Sequence, residues 1–489
     1  MFPVKLSILL VAVCCGGVLL RLLYTAWYNV FAHPLRSVPG PVLAKLFPQY
    51  MSLAMIQGRR AFTYGPIVRV GPNEVSFSDF RIYRQIYNQD ASIKEESFYK
   101  AASLLGHDNI SNIRDKSMHS ARRKLMSRPF SQRSINENET LITELVERLI
   151  TRILATARES PAGTTDVLLA AKLFSFEVLC RAAFNKDISS PSPEAAIKFL
   201  HAMEDSPAML ITSSVFPFLR SWGLGAYLPG SIGHAFRQYK FFEQYTRQLY
   251  REFESESKGD STERFIGTPL LKNEDSYLGR TLNEDEAVEE SMSLAFAGSG
   301  TTSVTIIYLL YELSRPQNRR VQLSLREELK GAGTTLADVK DLPYLDAVIK
   351  ETMRLHPTII STLPRTLTSP LLAYETVIPV GTTVGMQNYV HHRDPSVYID
   401  PDVYRPERWI GQSQGNDVDK AFTPYSLGPR NCIGQNLANA ELLLITSEVV
   451  RRLDLRLNAG MIEYDMEPED NFAASLKGKE LLLDVYALP

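Results

Sequence analysis

The chain has 489 residues, 44% of them hydrophobic and 22% charged, an ordinary globular composition with enough apolar side chains for a large core. With 53 Lys plus Arg against 55 Asp plus Glu, its net charge of -2 argues against a general nucleic-acid binder, which needs a basic excess. Only four cysteines are present, and two of them (Cys14 and Cys15) lie in the apolar N-terminus, which excludes a disulfide framework and fits a reducing compartment.

After Lys5 the chain runs LSILLVAVCCGGVLL, apolar or small except for Ser7, and then Arg21 and LLYTAWYNVF. A spanning helix needs about 20 mainly apolar residues. Residues 6–28 suffice, with Arg21 snorkelling toward the headgroups and Trp27 and Tyr28 at the interface. No small-x-small cleavage site follows, which weighs against a cleaved signal peptide. Positive charge is slightly heavier after this segment than before it, favouring a cytosolic body. The sequons at Asn109 and Asn138 would then go unused. Val38-Pro39-Gly40-Pro41 reads as a stiff, turning connector between anchor and body.

Residues 65–80 alternate and are β-branched around a Gly-Pro turn, which predicts a hairpin. Most of residues 80–355 is helix-patterned, and 364–390, rich in Thr, Val and Pro, reads as short strands. The polar, aperiodic stretches 251–264 and 411–420 read as surface loops. No repeat of solenoid period is present. The expected fold class is mainly α with a minor β-sheet region and no clean boundary after the anchor.

Residues 281–315 give the clearest helix. Thr281 with Glu284 makes a capping box, acids fill the first turn, and Pro316 stops it. Its middle, FAGSGTT (296–302), carries two glycines, each costing roughly 1 kcal/mol against alanine. Small residues there either let something large and flat lie against the backbone or pack closely on a neighbouring helix. The segment alone does not choose.

Residues 422–434 read FTPYSLGPRNCIG ahead of an apolar helical run. Cys432 therefore sits at a helix N-terminus, where amide N–H groups and the helix dipole favour a thiolate. Gly428 and Gly434 remove side chains on either side, so a planar ligand can approach the sulfur. Arg430 puts a permanent cation two residues away, suited to a carboxylate on that ligand. A thiolate on iron with a guanidinium on an acidic edge is what haem-thiolate chemistry requires. A lone cysteine is more often a buried small hydrophobe; these flanks reverse that preference.

The stretch resembles the cysteine-ligand loop of the cytochrome P-450 family, Phe-x-x-Gly-x-Arg-x-Cys-x-Gly, complete except for Tyr425 at the Phe position. Lys350-Glu351-Thr352-Met353-Arg354 carries the family's Glu-x-x-Arg motif, i and i+3 on one face of a helix starting near Pro343. Pro406-Glu407-Arg408-Trp409 resembles its Pro-Glu-Arg-Phe segment. The resemblance covers essentially the whole chain. It implies a membrane anchor over residues 1–30 and one haem-thiolate catalytic domain over residues 31–489.

The same resemblance implies haem b with the Cys432 thiolate as axial ligand, Tyr425 near the sulfur, and Gly428, Gly434, Ala297 and Gly298 against the porphyrin. Arg430, Arg123, Arg365 and His119 are the implied propionate partners. His119 and Arg123 lie i, i+4 at the place of the family's Trp-x-x-x-Arg motif, with His119 in the Trp position. Glu351, Arg354 and Arg408 are implied to form a buried charge network bracing the cysteine loop. Ala297-Gly298 and Thr301-Thr302 match the family's oxygen-activating helix, which makes Thr301 and Thr302 the implied catalytic residues. Gly300 stands where the family usually carries Asp or Glu, leaving ordered water, Ser299 or a substrate hydroxyl to serve the proton route.

The implied reaction is hydroxylation or epoxidation of an apolar small molecule, using O2 and electrons from NADPH through cytochrome P-450 reductase. Part of the basic cluster Arg122, Arg123, Lys124, Arg128 and Arg133 would dock that acidic partner. Residues 359–363, the loop 98–112 and the turn 472–476 would shape the substrate pocket. The implied location is the endoplasmic reticulum membrane, with the catalytic domain cytosolic, membrane lipid as a further partner and no nucleic acid. GPIVRVGPNEVSF and DKSMHSARRKLMSRPFS look most like fungal members that oxidise natural products. Two competing readings keep the haem: an isomerase or dehydratase that needs no reductase, and a membrane-tethered haem-binding sensor without turnover.

Overall fold

The computed structural model describes residues 2–47, 66–88, 91–189, 192–257, 265–411, 416–471 and 473–489. The apolar N-terminal run forms helix α1 (Phe2–Trp27). From Val13 on, its large side chains point outward, Leu20 at 69% exposure and Leu22 at 61%. The stretch Val13–Ala32, 20 residues, is long and apolar enough to cross a membrane, and almost none of it is covered by the rest of the chain.

The hairpin forms as β1 (Ile67–Gly71) and β2 (Glu74–Phe77), antiparallel around Pro72 and Asn73. The helix α2 (Phe80–Tyr87) follows, capped by Asp79, whose carboxylate accepts from the Arg81 amide at 2.9 Å. Three later strands complete the sheet: β3 (Ser92–Lys94), β4 (Arg365–Leu367) and β5 (Thr383–Met386), in the order β1-β2-β5-β4-β3. Val75, Phe77, Tyr83, Ile86 and Val384 fill the core between this sheet and α2.

The main core is helical: α3 (Lys116–Ser127), α4 (Glu139–Glu159), α5 (Leu168–Phe184), α6 (Glu194–Asp205), α7 (Gly230–Glu256), α8 (Glu284–Ser314), α9 (Pro343–Leu355) and α10 (Gln435–Arg452). At 1.5 Å per residue the 31 residues of α8 span about 46 Å. It runs between α5, α7, α9 and α10 and is buried on nearly every side, which is why its apolar residues form no single stripe.

Two local expectations shift. The N-cap of α8 is Asn283, not Thr281: the Asn283 side chain accepts from the Glu286 amide and Glu286 accepts from the Asn283 amide, both at 2.9 Å. Both tetrads fit the capping-box pattern. The later one forms because Arg280 holds the Glu286 carboxylate at 2.7 and 2.8 Å, while Glu284 is drawn to Arg247 and Arg251 of α7. The two polar loops are also shorter than expected. Helix α7 continues to Glu256, and Asp417–Ala421 forms a helical turn capped by Asn416. Residues 258–264 and 412–415 lie outside the described residues.

Candidate active site

Gly428–Arg430 makes one 3-10 turn, Cys432 follows, and Gly434 caps α10. The Cys432 amide donates to the Tyr425 carbonyl at 2.9 Å, which closes the loop. The sulfur is encased by protein yet accessible to a water-sized sphere, so it opens on an internal hollow. Burial pushes the thiol pKa up; the Gly434 amide, the Arg123 guanidinium and the Gln435 amide pull it down without prevailing. The helix N-terminus therefore does not hold a thiolate unaided. A bound metal ion would supply the missing positive charge, because a coordinated thiol is deprotonated outright.

Gly434 keeps the sulfur uncovered: a Cβ there would have only Cys432 Sγ and Phe130 Cε1 near it, each at 3.9 Å. Gly428 is required for a reason other than ligand approach. Its φ is +71°, and a Cβ would stand 2.6 Å from the Tyr87 carbonyl oxygen and 2.9 Å from Asn88 Cα. The turn is seated on the end of α2. The Tyr425 hydroxyl donates to Asn439 Oδ1 of α10 at 2.6 Å, so its proton is committed to that helix and not to the sulfur.

A polar relay from α9 fixes the start of the loop. Glu351 and Arg354, both wholly buried, pair through two hydrogen bonds of 2.9 Å. Glu351 also accepts from Arg408 Nε and Trp409 Nε1 at 3.0 Å and from the Arg405 amide at 2.9 Å. The expected three-residue network is present, with Trp409 as a fourth member. Arg354 then donates to the His392 carbonyl at 2.9 Å, and the His392 ring accepts from the Thr423 amide at 3.0 Å. His391 Nε2 bonds Thr423 Oγ1 at 2.8 Å, and Asn388 donates to the Thr423 carbonyl at 3.0 Å. Burial lowers both imidazole pKa values, His391 to about 4, so the rings are neutral and His392 can accept. Nothing in the sequence marked His391, His392 or Thr423.

Arg430, Arg365, Arg123 and His119 come together, and Lys94 joins them. Lys94 and Arg365 are register partners across β3 and β4, so they share one face of the sheet. Lys94 Nζ donates to the Ser111 carbonyl at 2.5 Å, Arg365 to the Tyr99 hydroxyl at 2.6 Å, and Arg123 to both oxygens of Asn431 at 2.7 Å. Arg430 donates to the carbonyls of Ile113 and Arg114. Among the described residues none of these four cations is in a salt bridge. Burial and then Arg365 push the Arg430 pKa down to about 10; burial, Arg430 and Arg365 push Lys94 well down. His119 falls to about 3 through burial and the same cations. Buried like charges of this kind call for a counter-anion. The two carboxylates of a haem fit that requirement, and the uncovered sulfur fits its iron.

Arg122 does not belong to the surface cluster. It is buried, with Nε on Asp275 Oδ2 at 2.8 Å and Nη1 on Glu290 of α8. Lys124, Arg128 and Arg133 are exposed. The sequon residues Asn109 and Asn138 are buried.

In the middle of α8, Ala297 is exposed and Gly300, Thr301 and Val304 are half-buried. These positions recur at i, i+3, i+4 and i+7 and so share one face, the least covered side of an otherwise buried helix. A Cβ on Gly300 would meet nothing within 4 Å. Thr301 Oγ1 donates to the Ala297 carbonyl at 2.7 Å. The adjoining face is packed: a Cβ on Gly298 would lie 3.1 Å from Leu179 Cδ1 of α5, and Thr302, one turn on, is buried. The two glycines thus divide the two readings, Gly298 serving helix packing and Gly300 the open side. Gly298 and Thr302 stand off this open row. Ser299 is turned to α6, donating to the Ala295 carbonyl at 2.6 Å and to Met203 Sδ at 3.5 Å.

Segments 359–363 and 473–476 meet beside α8. Thr358 Oγ1 lies 3.1 Å from Thr305 Oγ1, Ile359 bridges Ala473, and the Ala474 amide donates to the Thr358 carbonyl at 2.7 Å. Phe472, expected at the same turn, lies outside the described residues.

The cytochrome P-450 family matches residues 39–483 of this chain. The cytochrome P-450 monooxygenase tpeC of Talaromyces stipitatus is 29% identical over 481 residues, covering 93% of this chain and 90% of the relative. The cytochrome P-450 monooxygenase dtxS2 of Metarhizium robertsii is 29% identical over 475 residues, with coverage of 93% and 90%. Among solved structures, the retinoic acid-bound cyanobacterial CYP120A1 shares the fold, with a TM-score of 0.72 at 18% identity over 90% of this chain and 94% of that one. Fold, cysteine loop and family match agree: the chain belongs to the cytochrome P-450 family, the monooxygenases whose haem iron takes a cysteine thiolate as its axial ligand.

Proposed function

We propose that this chain is a membrane-anchored monooxygenase acting on an apolar organic substrate, with Cys432 as the axial thiolate. The observation that carries the reading is a sulfur opening on a hollow beside four buried or half-buried cations that, among the described residues, are in no salt bridge. Haem, when bound, supplies the activation of O2, with one oxygen atom entering the substrate as a hydroxyl or epoxide. The rest is the work of the chain. Arg430, Arg365, Arg123 and Lys94, with the neutral ring of His119, hold the carboxylate edge of the group and fix its rotation. Gly434 leaves the sulfur free, and Ala297 lets a flat ring lie against α8.

Thr301 holds a proton-bearing oxygen on the open face of α8. With Gly300 lacking a side chain and Ser299 turned toward α6, ordered water or a substrate hydroxyl remains to bring protons to it. Thr302, buried beside Gly298, is given no direct part. Residues 359–363, 473–476 and the loop 98–112 form the substrate wall, and their Ile, Leu and Ala side chains favour an apolar substrate. Helix α1 anchors the protein in the endoplasmic reticulum membrane, residues 1–30 serving as anchor and 31–489 as the cytosolic catalytic domain. NADPH-cytochrome P-450 reductase delivers electrons, docking on Lys124, Arg128 and Arg133. The fungal relatives, named as cytochrome P-450 monooxygenases, support the monooxygenase reaction, and its substrate is read as a natural product from the family resemblance.

The test is spectral and then kinetic. Full-length protein made under haem-replete conditions is expected to show the red-shifted band of the reduced carbon monoxide complex, and Cys432→Ala to lose it. Retention of that band in Cys432→Ala overturns the ligand assignment. Product formation with NADPH but without reductase overturns the partner.

A further inference from the structure

Most of the loop between residues 102 and 115 has no regular structure, yet its polar atoms are gripped from two sides. From α8, two consecutive and wholly buried carboxylates reach it. Glu289 accepts from the Leu104 amide at 2.8 Å, from the Leu105 amide, and from Asn109 Nδ2 at 2.6 Å. Glu290 accepts from the Ile110 amide at 3.0 Å and from Arg122. From the other side the Leu104 carbonyl accepts from Arg220 and from the Tyr239 hydroxyl. Arg220 lies on the short helix Pro217–Ser221 and Tyr239 on α7. The far end of the loop reaches the site itself, with Ser111 Oγ on Ser293 Oγ at 3.1 Å and the Ile113 carbonyl accepting from Arg430.

Glu290 is neutralised by Arg122, whereas the hydrogen-bond partners of Glu289 are all neutral N–H groups. A carboxylate at that depth is tolerated only because those donors replace its water. Glu289 and Ser293 precede Ala297 by two turns and one turn of the same helix, so the loop is clamped close to the open row of α8.

We propose that Glu289 is a positioning residue for substrate: its grip on Leu104, Leu105 and Asn109 sets where the loop wall stands over Ala297 and Thr301, and so which large molecules fit above the iron. The proposal rests on the haem-thiolate reading. Glu289 acts through the loop and touches neither haem nor substrate. Glutamine in its place keeps the shape but turns an amide N–H toward one of the three N–H donors, so a bond becomes a clash of donors.

The experiment uses the full chain with haem bound and two nitrogen ligands of the iron, imidazole and 4-phenylimidazole, followed by the shift of the haem absorption. Imidazole is too small to meet the wall; the phenyl ring reaches it. In Glu289→Gln the reduced carbon monoxide band is expected to persist, imidazole affinity to stay within about twofold, and 4-phenylimidazole affinity to change by about fivefold or more. Amide hydrogen exchange over residues 104–110 is expected to quicken. Asn109→Ala removes one of the three Glu289 bonds together with the Asn109 Oδ1 acceptor of the Ser111 and Asn112 amides, and is expected to move the affinity ratio the same way. An unchanged ratio in both variants overturns the proposal, and Asn109→Ala decides if Glu289→Gln fails to hold haem. Equal weakening of both ligands also overturns it, since that marks general loosening. If the unsubstituted protein shows no haem shift with either ligand, the haem-thiolate reading falls and this one with it.

Discussion

Loop 422–434 and loop 102–115 both border the hollow, but they are fixed by different means. The first is held by several neutral partners: the amide, carbonyl and hydroxyl of Thr423 are taken by the side chains of His392, Asn388 and His391, and Gly428 rests on the end of α2. The second is held, also at its backbone, by a few ionisable side chains, chiefly Glu289 and Glu290 from α8 and Arg220 from the short helix beyond it. A loop whose bonds are shared among several neutral partners cannot shift without breaking several of them at once. A loop whose bonds converge on one carboxylate can be reset by one substitution. The sulfur needs the first kind of support, and a wall that must fit one substrate among many is served by the second.

That contrast can be broken at several points. The largest effect belongs to Cys432→Ala, which is expected to abolish the red-shifted carbon monoxide band. Next, Glu351→Gln leaves Arg354 and Arg408 buried without their counter-charge and is expected to cost about 3–5 kcal/mol in denaturant unfolding, with loss of bound haem. A protein that keeps full haem content in this variant shows that the relay does not brace the loop. Thr301→Ala is expected to keep the band but to lower product formed per O2 consumed by about tenfold, in line with a lost proton-transfer group.

The smallest effect sharpens the comparison within α8. Gly300→Ala gains helix propensity in open space and is expected to stabilise by up to about 1 kcal/mol. Gly298→Ala meets Leu179 and is expected to lose that gain to overpacking, leaving it about 1 kcal/mol or more below Gly300→Ala. Thermal unfolding of the two variants side by side measures the difference.

The residues legible in the sequence were those whose chemistry is carried by neighbours in the chain. Cys432, Arg430 and Gly434 sit within five residues, Glu351 and Arg354 share a helix face, and the hairpin and α9 follow from alternation and from Pro343. What stayed hidden depends on contacts between distant segments. His391 and His392 matter because Arg354 and Thr423 meet them from 30 or more residues away. Lys94 gains its meaning only from register with Arg365, and Glu289 and Glu290 look like ordinary acids of a helix's first turns. Arg122 falls in the run of basic residues from which a docking cluster is expected, whereas Asp275 and Glu290 draw it inward. Gly428 is expected to clear the approach of a planar ligand, and its contact with Tyr87 and Asn88 is a further requirement that no local pattern reveals. The start of α8 moved by two residues because two capping patterns overlap and Arg280 selects the second.

The seating of Gly428 on Tyr87 and Asn88 bears on how such enzymes can be recombined. With no room for even a methyl group between the two segments, and with the Tyr83 hydroxyl on Ser426 at 3.2 Å, the thiolate loop and helix α2 form one joint unit separated by more than 300 residues of chain. Chimaeras that transplant residues 422–434 from a relative will mismatch unless residues 80–88 travel with them, so crossover points belong outside both segments.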